Sequence, residues 1–136
     1  MKIFVVAILL SATAGAASKH GVLHPISVCA VSQHPGAFVG KRLTLDGYVN
    51  DLGSHGFVLA AKRGCKGRGL VELRDDAVLD NPTWRRVFLR GTVGPRHATL
   101  TGVVYWGRNR GGALIPALRI ERIERLAEHD ADLRDF

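Results

Sequence analysis

RLTLDGYV, at residues 42–49, alternates apolar and polar side chains along its length. Leu43 and Leu45 fall on one side of the chain and the residues between them are polar, which is the period of a half-buried β-strand. Gly47 interrupts this alternation. Because a glycine inside a strand usually marks a bulge or a tight bend, the segment predicts a strand that coils strongly.

ATLTGVVY, at residues 98–105, carries the same Thr-Leu-x-Gly pattern within another run of strand-forming residues. Its glycine is Gly102, which corresponds to Gly47 in the first segment. Two occurrences are too few to indicate a repeat architecture. They predict instead two coiled strands, each bent at its glycine.

Three further strands and a short N-terminal helix are predicted around these segments. The five strands are expected at residues 41–49, 56–61, 70–73, 98–106 and 114–126. Ser27 is placed to cap the start of the short helix, and Pro35-Gly36 is expected to end it. Pro116 has no backbone N–H and therefore confines the start of the last strand to a sheet edge or a bulge.

The stretch 82–93 fits two structures. Asn81 followed by Pro82 is a good helix start, and Trp84, Val87 and Phe88 then recur at helical spacing. Residues 86–93 also fit a strand that ends in a Gly-Pro turn. A helix is the favoured interpretation.

The resulting order is three strands, a helix and two strands, which is the element order of the OB-fold. PGAFVGKRLTLDGYV, at residues 35–49, resembles the start of the first strand in small exported bacterial OB-fold proteins of uncharacterised function. The matching positions are Pro35, Phe38, Gly40, Lys41, Leu43, Leu45 and Gly47.

This resemblance implies a mainly β domain over residues 27–126. The expected architecture is a five-stranded Greek-key barrel with a short N-terminal helix and one helix between strands 3 and 4. A shared fold does not imply a shared activity, so the resemblance says nothing about the ligand.

The first seventeen residues have the layout of a secretory signal peptide. A positive start at Met1-Lys2 precedes an apolar run from Ile3 to Leu10 and then small residues. That run is shorter than the roughly 20 residues that span a bilayer. The competing interpretation is a membrane anchor or a buried helix. Cleavage would leave a periplasmic or secreted protein with a flexible start at 18–26 and a charged tail at 127–136.

Cys29 and Cys65 are the two cysteines of the chain. An exported protein with a small, even number of cysteines usually pairs them, so a disulfide is predicted. The competing interpretation is a pair of reactive thiols or metal ligands. No Cys-x-x-Cys spacing supports that interpretation.

Basic residues outnumber acidic ones by 19 to 12, a net charge of +7. Loss of Lys2 with the leader leaves 18 against 12, or +6. Such a protein is attracted to anionic partners, including nucleic acid, acidic polysaccharide and envelope surfaces. Basic charge also serves solubility alone, so the partner class stays open.

Two basic loops and the aromatic residues near them form the candidate ligand site. The predicted binding residues are Lys62, Arg63, Lys66, Arg68, Arg108, Arg110, Tyr105 and Trp106. Tyr48 and Phe57 are further candidate stacking surfaces, and Trp106 is the aromatic expected outside the core. Aromatic rings beside cations suit single-stranded nucleic acid, where stacking contributes about 1–3 kcal/mol per base. The competing interpretation is that the loops are basic because they are solvated and the aromatics belong to the core.

No pattern in the chain predicts catalysis, a metal site or a cofactor. Asp51, Ser54 and His55 are close in sequence, but no Gly-x-Ser-x-Gly elbow or phosphate-binding loop is present. The six histidines show no converging ligand spacing. The sequence therefore predicts an exported, non-enzymatic module that binds an anionic polymer. The alternative is a structural or interaction protein of the bacterial envelope that acts through a sheet edge.

Overall fold

The computed structural model describes residues 24–66, 69–74, 80–88 and 94–131. The strands are β1 (Ile26–Ser27), β2 (Arg42–Asp51), β3 (Phe57–Ala60), β4 (Leu70–Arg74), β5 (Arg96–Arg108) and β6 (Leu114–Leu126). The α-helices are α1 (Val28–Gln33) and α2 (Pro82–Phe88), and single 3₁₀ turns occupy Pro35–Ala37 and Gly53–His55. The predicted leader at 1–17, residues 18–23, Arg68 and residues 132–136 lie outside the described residues. Neither described α-helix has the length and apolar character needed to cross a bilayer.

The six strands form one mixed sheet, which confirms the mainly β fold. β2 pairs antiparallel with β3, and β3 pairs antiparallel with β4. β4 then runs parallel to β6, which pairs antiparallel with β5. Finally β5 pairs antiparallel with β2, so the succession of pairings returns to the strand where it began.

All five predicted strands are present, but the expected number of strands is wrong by one. The additional strand, β1, lies at Ile26–Ser27 and runs parallel to Leu45–Asp46 of β2. Ile26 belongs to residues 18–26, which the sequence predicts to be flexible. Two residues are too few to show a periodicity, so β1 has no signal of its own in the sequence.

Gly47 and Gly102 both lie within strands, at places where another segment approaches the backbone closely. A β-carbon at Gly102 would collide with the backbone carbonyl of Arg119 on β6. At Gly47 it would lie 2.7 Å from the carbonyl oxygen of Ala60 and 2.7 Å from a methyl group of Val28. The register between β5 and β6 shifts beside Gly102, as expected of a bulge, whereas the register of β2 is continuous through Gly47.

The core lies between the sheet and the two α-helices. Its largest fully buried side chains are Trp84, Leu45, Leu59, Leu100 and Leu118. Helix α1 contributes Val28 and Val31, which are buried. Helix α2 contributes an aromatic cluster, in which the ring of Phe57 lies 5.0 Å from Trp84 and 5.2 Å from Phe88.

Both helices begin at the predicted caps. The backbone N–H of Ala30 donates to Ser27 Oγ at 3.2 Å. The Asn81 Oδ1 atom accepts hydrogen bonds from the backbone N–H groups of Thr83 and Trp84. Each bond satisfies a donor that the first helical turn leaves unpaired. The helix interpretation is therefore confirmed over 82–88, while residues 89–93 lie outside the described residues.

A disulfide joins Cys29 of α1 to Cys65 in the loop between β3 and β4, with 5.6 Å between the two Cα atoms. The predicted pairing is confirmed. It ties the N-terminal helix to a loop 36 residues away. Since disulfides persist in oxidising compartments, the bond is consistent with a location outside the cytoplasm.

Replacing Gly102 by Ala should destabilise the protein by at least about 2 kcal/mol, because the new methyl group meets backbone atoms of β6 that cannot rotate away. Urea denaturation of the folded protein measures this loss. Gly36→Ala is the matched control: nothing lies within 4 Å of its added β-carbon, so the change should stay below about 1 kcal/mol. Equal losses in the two variants would contradict the close approach at Gly102.

Reducing the disulfide should lower the free energy of unfolding by roughly 4 kcal/mol in the chain-entropy model, because the unfolded chain regains the freedom of the closed loop. Denaturation with and without reductant measures the difference. The variant Cys29→Ala/Cys65→Ala should match the reduced protein and show no further response to reductant. A wild-type transition that is insensitive to reductant would contradict the stabilising role of the bond.

Candidate functional site

The predicted cations fall into two groups at opposite ends of β3. Lys62, Arg63 and Lys66 lie in the loop after β3, which holds the disulfide. Arg108 ends β5, and Arg110 lies in the hairpin turn 109–113. The Arg110 guanidinium donates to the carbonyl oxygen of Ser54 at 3.3 Å, so this hairpin lies beside the turn before β3. The four residues of β3, about 13 Å long, separate the two groups.

A groove of about 900 Å³ lies beside the β5–β6 hairpin. Three of the predicted residues line it, namely Tyr105, Trp106 and Arg108. The remaining lining residues are Arg74, Gly107, Arg119, Ile120 and Glu121. The groove is thus lined by three arginines, one carboxylate and two aromatic residues.

Arg74 and Arg119 are functional candidates that the sequence did not reveal. They stand opposite each other in the parallel β4–β6 pairing, although 45 positions separate them in the chain. Arg119 follows the buried Leu118 and precedes the buried Ile120, so the alternation of β6 places it on the outer surface. Only the register between the two strands makes Arg74 its neighbour.

The two aromatics of the groove are adjacent in β5 and therefore point to opposite faces of the strand. Tyr105 is half-buried, and Trp106 is 42% exposed. The prediction that Trp106 lies outside the core is confirmed. Tyr48 and Phe57 do not offer stacking surfaces, because Tyr48 is only 4% exposed and Phe57 packs in the aromatic cluster of α2.

Ion pairs neutralise part of the charge around the groove. A guanidinium nitrogen of Arg74 lies 2.7 Å from a carboxylate oxygen of Glu72. Arg42 holds Glu121 through two contacts, at 2.7 and 3.1 Å. Within the described ranges, no carboxylate lies within ion-pair distance of Arg108 or Arg119. The groove therefore keeps an excess of positive charge.

Burial raises the pKa of the Tyr105 phenol, because desolvation disfavours the phenolate. The Arg74 guanidinium opposes this rise through its charge and a side-chain hydrogen bond, and the charge of Arg119 opposes it weakly. Glu72 adds to the rise. The phenol is thus neutral at physiological pH and offers the groove a hydroxyl group that can donate and accept hydrogen bonds.

Lys62 and Arg63 line a second, smaller pocket of about 490 Å³, together with the disulfide and Asp46. Asp46 is held in place by two donors: Thr99 Oγ1 and His97 Nε2 each lie 2.9 Å from its Oδ1 atom. This carboxylate opposes the charge of the two cations. The second pocket therefore has two cations against one carboxylate, whereas the groove has three arginines against one carboxylate.

The Asp51, Ser54 and His55 cluster has a structural explanation. The Asp51 carboxylate accepts the backbone N–H of Gly53 at 2.7 Å, which stabilises the turn before β3. Within the part of the chain that the structure describes, no group of three or more His, Cys, Asp or Glu side chains is arranged to hold a metal ion.

Comparison of the chain with protein-family models, with curated proteins and with solved structures finds no match in any of the three. The groove is therefore interpreted from its own residues.

Replacing Arg74 by Gln should raise the pKa of Tyr105 further, because the cation that stabilises the phenolate is removed. The measurement is an ultraviolet titration of each protein and of the same protein carrying Tyr105→Phe. The difference between the two curves gives the ionisation of Tyr105 alone. In the wild type the difference curve should have its midpoint above the ordinary tyrosine value of about 10. Arg125→Gln, which removes an arginine outside the groove, should leave the midpoint unchanged, and a fall in the Arg74 variant would contradict the assignment.

Proposed function

We propose that the chain is an exported, non-enzymatic binding module with an OB-fold barrel, and that the groove beside the β5–β6 hairpin binds an anionic polymer or surface. The observation that carries the proposal is a single groove whose lining includes three arginines, one carboxylate, Tyr105 and the exposed Trp106. The proposed function is binding alone and includes no chemical reaction.

The order of pairings supports the barrel. Starting from β2, the succession β3, β4, β6 and β5 leads back to β2, with helix α2 inserted between β4 and β5. A sheet whose first and last strands pair removes the free edges that an open sheet leaves, as OB-fold barrels do. OB-fold proteins bind oligonucleotides and oligosaccharides with the loops after their first and fourth strands. The corresponding loops here, 52–56 and 109–113, are joined by the hydrogen bond from Arg110 to Ser54.

Export is supported by two independent features. The first seventeen residues have the pattern of a cleavable leader. The Cys29–Cys65 disulfide requires an oxidising environment in which to persist. In the periplasm or medium, the accessible polyanions include nucleic acid, acidic polysaccharide and the anionic surface of the envelope itself.

Binding in the groove would combine charge with stacking. Guanidinium groups present planar, paired donors that match phosphate and carboxylate oxygens. Trp106 offers an exposed ring beside Arg108, where a flat group of the ligand can stack. Because most of the attraction comes from charge, affinity should fall steeply as salt increases.

The alternative, a structural protein that acts through a sheet edge, has less support. In the described part of the chain, residues 120–126 of β6 pair with β5 on one side and extend past the pairing with β4. This edge carries charged side chains, namely Glu121, Arg122, Glu124 and Arg125. Charged side chains along an edge oppose pairing with another strand.

The double variant Arg108→Gln/Arg119→Gln should weaken binding to heparin and to a fluorescent single-stranded oligonucleotide. For the oligonucleotide, the slope of log affinity against log salt should fall by about 0.7 for each lost phosphate contact. Elution from heparin and fluorescence anisotropy across a salt series are the measurements.

Two double variants with the same charge change serve as controls. Arg85→Gln/Arg125→Gln removes exposed arginines outside the groove, and Lys62→Gln/Arg63→Gln tests the second basic loop. Both should change affinity less than the groove variant. Equal losses in all three would show a response to net charge alone and would contradict the groove as the binding site.

A further inference from the structure

The β5–β6 hairpin extends beyond the rest of the sheet. β5 pairs with β2 only as far as Val103, and β6 pairs with β4 only from Ala117 onward. The residues nearer the turn pair only with each other, Trp106 with Pro116, Gly107 with Ile115 and Arg108 with Leu114. Residues 106–116, called the arm below, therefore form a two-stranded projection.

The turn of the arm is held by several hydrogen bonds. The backbone N–H of Asn109 donates to the carbonyl oxygen of Ala113, and Asn109 Oδ1 accepts the Ala113 N–H, each at 3.0 Å. The Arg108 guanidinium donates to the Gly112 carbonyl oxygen at 2.9 Å. These bonds hold the two strands of the arm in one arrangement.

One face of the arm is apolar and exposed. Residues directly opposite each other in an antiparallel pair share a face, so Trp106, Arg108, Leu114 and Pro116 lie together. Val104 and Leu118, further along the same face, are fully buried in the core. This face of the arm thus continues the core-facing side of the two strands past the end of the core.

The exposed large apolar side chains of the described residues are at this end of the molecule. They are Leu52, Trp106 and Leu114, and Leu114 is 54% exposed. Leu52 belongs to the turn whose Ser54 carbonyl accepts the hydrogen bond from Arg110. Apolar exposure confined to one end, with a polar surround, is typical of an interaction surface.

The charge of the arm restricts the partner. Residues 106–116 read WGRNRGGALIP and contain two arginines and no Asp or Glu. Two carboxylates on neighbouring elements are held in ion pairs, Glu121 by Arg42 and Glu72 by Arg74. The arm itself therefore combines apolar side chains with positive charge.

We infer that the arm docks on an anionic phospholipid bilayer, which deepens the proposed function by naming the anionic surface as a lipid surface. Trp106 and Leu114 enter the headgroup region, where tryptophan is favoured and aliphatic side chains leave water. Arg108 and Arg110 contact lipid phosphates. The arm lies at the membrane surface through this contact.

The aliphatic residues favour lipid over nucleic acid. Leu114 and Pro116 have no π-face on which a base stacks, and single-strand binding relies on aromatic platforms. A hydrated polysaccharide likewise offers no apolar phase for Leu114 to enter. A bilayer interface satisfies the apolar residues and the arginines together.

Vesicle binding of the mature protein, residues 18–136, tests the inference. Phosphatidylcholine vesicles and vesicles with one quarter phosphatidylglycerol are compared by sedimentation. Binding should occur on the anionic vesicles and should shift tryptophan emission to the blue. Trp84 is fully buried, so the shift reports Trp106 and should disappear in Trp106→Phe.

Leu114→Ser should weaken anionic vesicle binding roughly tenfold, because the inserted side chain is lost. Arg108→Gln/Arg110→Gln should weaken it comparably, while Arg85→Gln/Arg125→Gln serves as the charge-matched control. Since Leu114 is exposed, its variant should keep the thermal midpoint of the wild type. Heparin retention should be unchanged in Leu114→Ser, which separates lipid insertion from general polyanion binding.

Several outcomes would overturn the inference. Vesicle binding that is insensitive to Leu114→Ser and absent at high salt would be purely electrostatic. It would contradict the insertion of the arm into the bilayer. Heparin or oligonucleotide binding without vesicle binding would refute the lipid surface and leave the proposed function standing. Self-association that depends on Leu114, without vesicle binding, would identify a second copy as the partner. Failure to bind any polyanion would refute both proposals.

Discussion

The other features of the fold depend on the antiparallel pairing of β2 with β5. This ladder runs without a break from the pair Arg42 and Val103 to the pair Val49 and Arg96. It joins the first long strand to the fifth and makes the pairings of the sheet cyclic. The core residues of both strands, including Leu45 and Leu100, then face the same interior. The ladder also ends before the hairpin turn, which is why the last residues of β5 project as an arm.

Cross-strand hydrogen bonds reinforce the polar side of this ladder. Thr44 and Thr101 join their hydroxyl oxygens at 2.8 Å, and Thr101 also donates to Glu124 of β6 at 2.7 Å. This bond and those from Arg122 hold the pKa of the Glu124 carboxyl below its usual range. The network links three strands on the outer face while leucine and valine side chains pack on the inner face.

The groove and the arm overlap at Trp106 and Arg108, which belong to both. On the groove side these residues join Arg74 and Arg119, which supply positive charge. On the arm side they join Leu114, which supplies apolar surface. One end of the molecule thus combines positive charge with exposed apolar surface. The pocket beside the disulfide instead combines Lys62 and Arg63 with the carboxylate of Asp46.

Patterns in the sequence were enough to predict five of the strands, both helix starts, the disulfide and the exposure of Trp106. Each of these depends on a simple sequence pattern: alternation along a strand, a capping side chain before a helix, or a small, even number of cysteines. Ser27 and Asn81 are recognisable because a cap acts within three residues of its own position.

Which distant residues became neighbours depends on how the strands pair in the folded sheet. The parallel register of β4 and β6 placed Arg74 beside Arg119. The two basic loops lie at opposite ends of β3 and are therefore separated. Tyr48 became buried, and Phe57 partly buried, through packing against partners remote in sequence. The register between distant strands is set by which side chains of both strands must pack in the shared core. The periodicity of one strand does not contain this information.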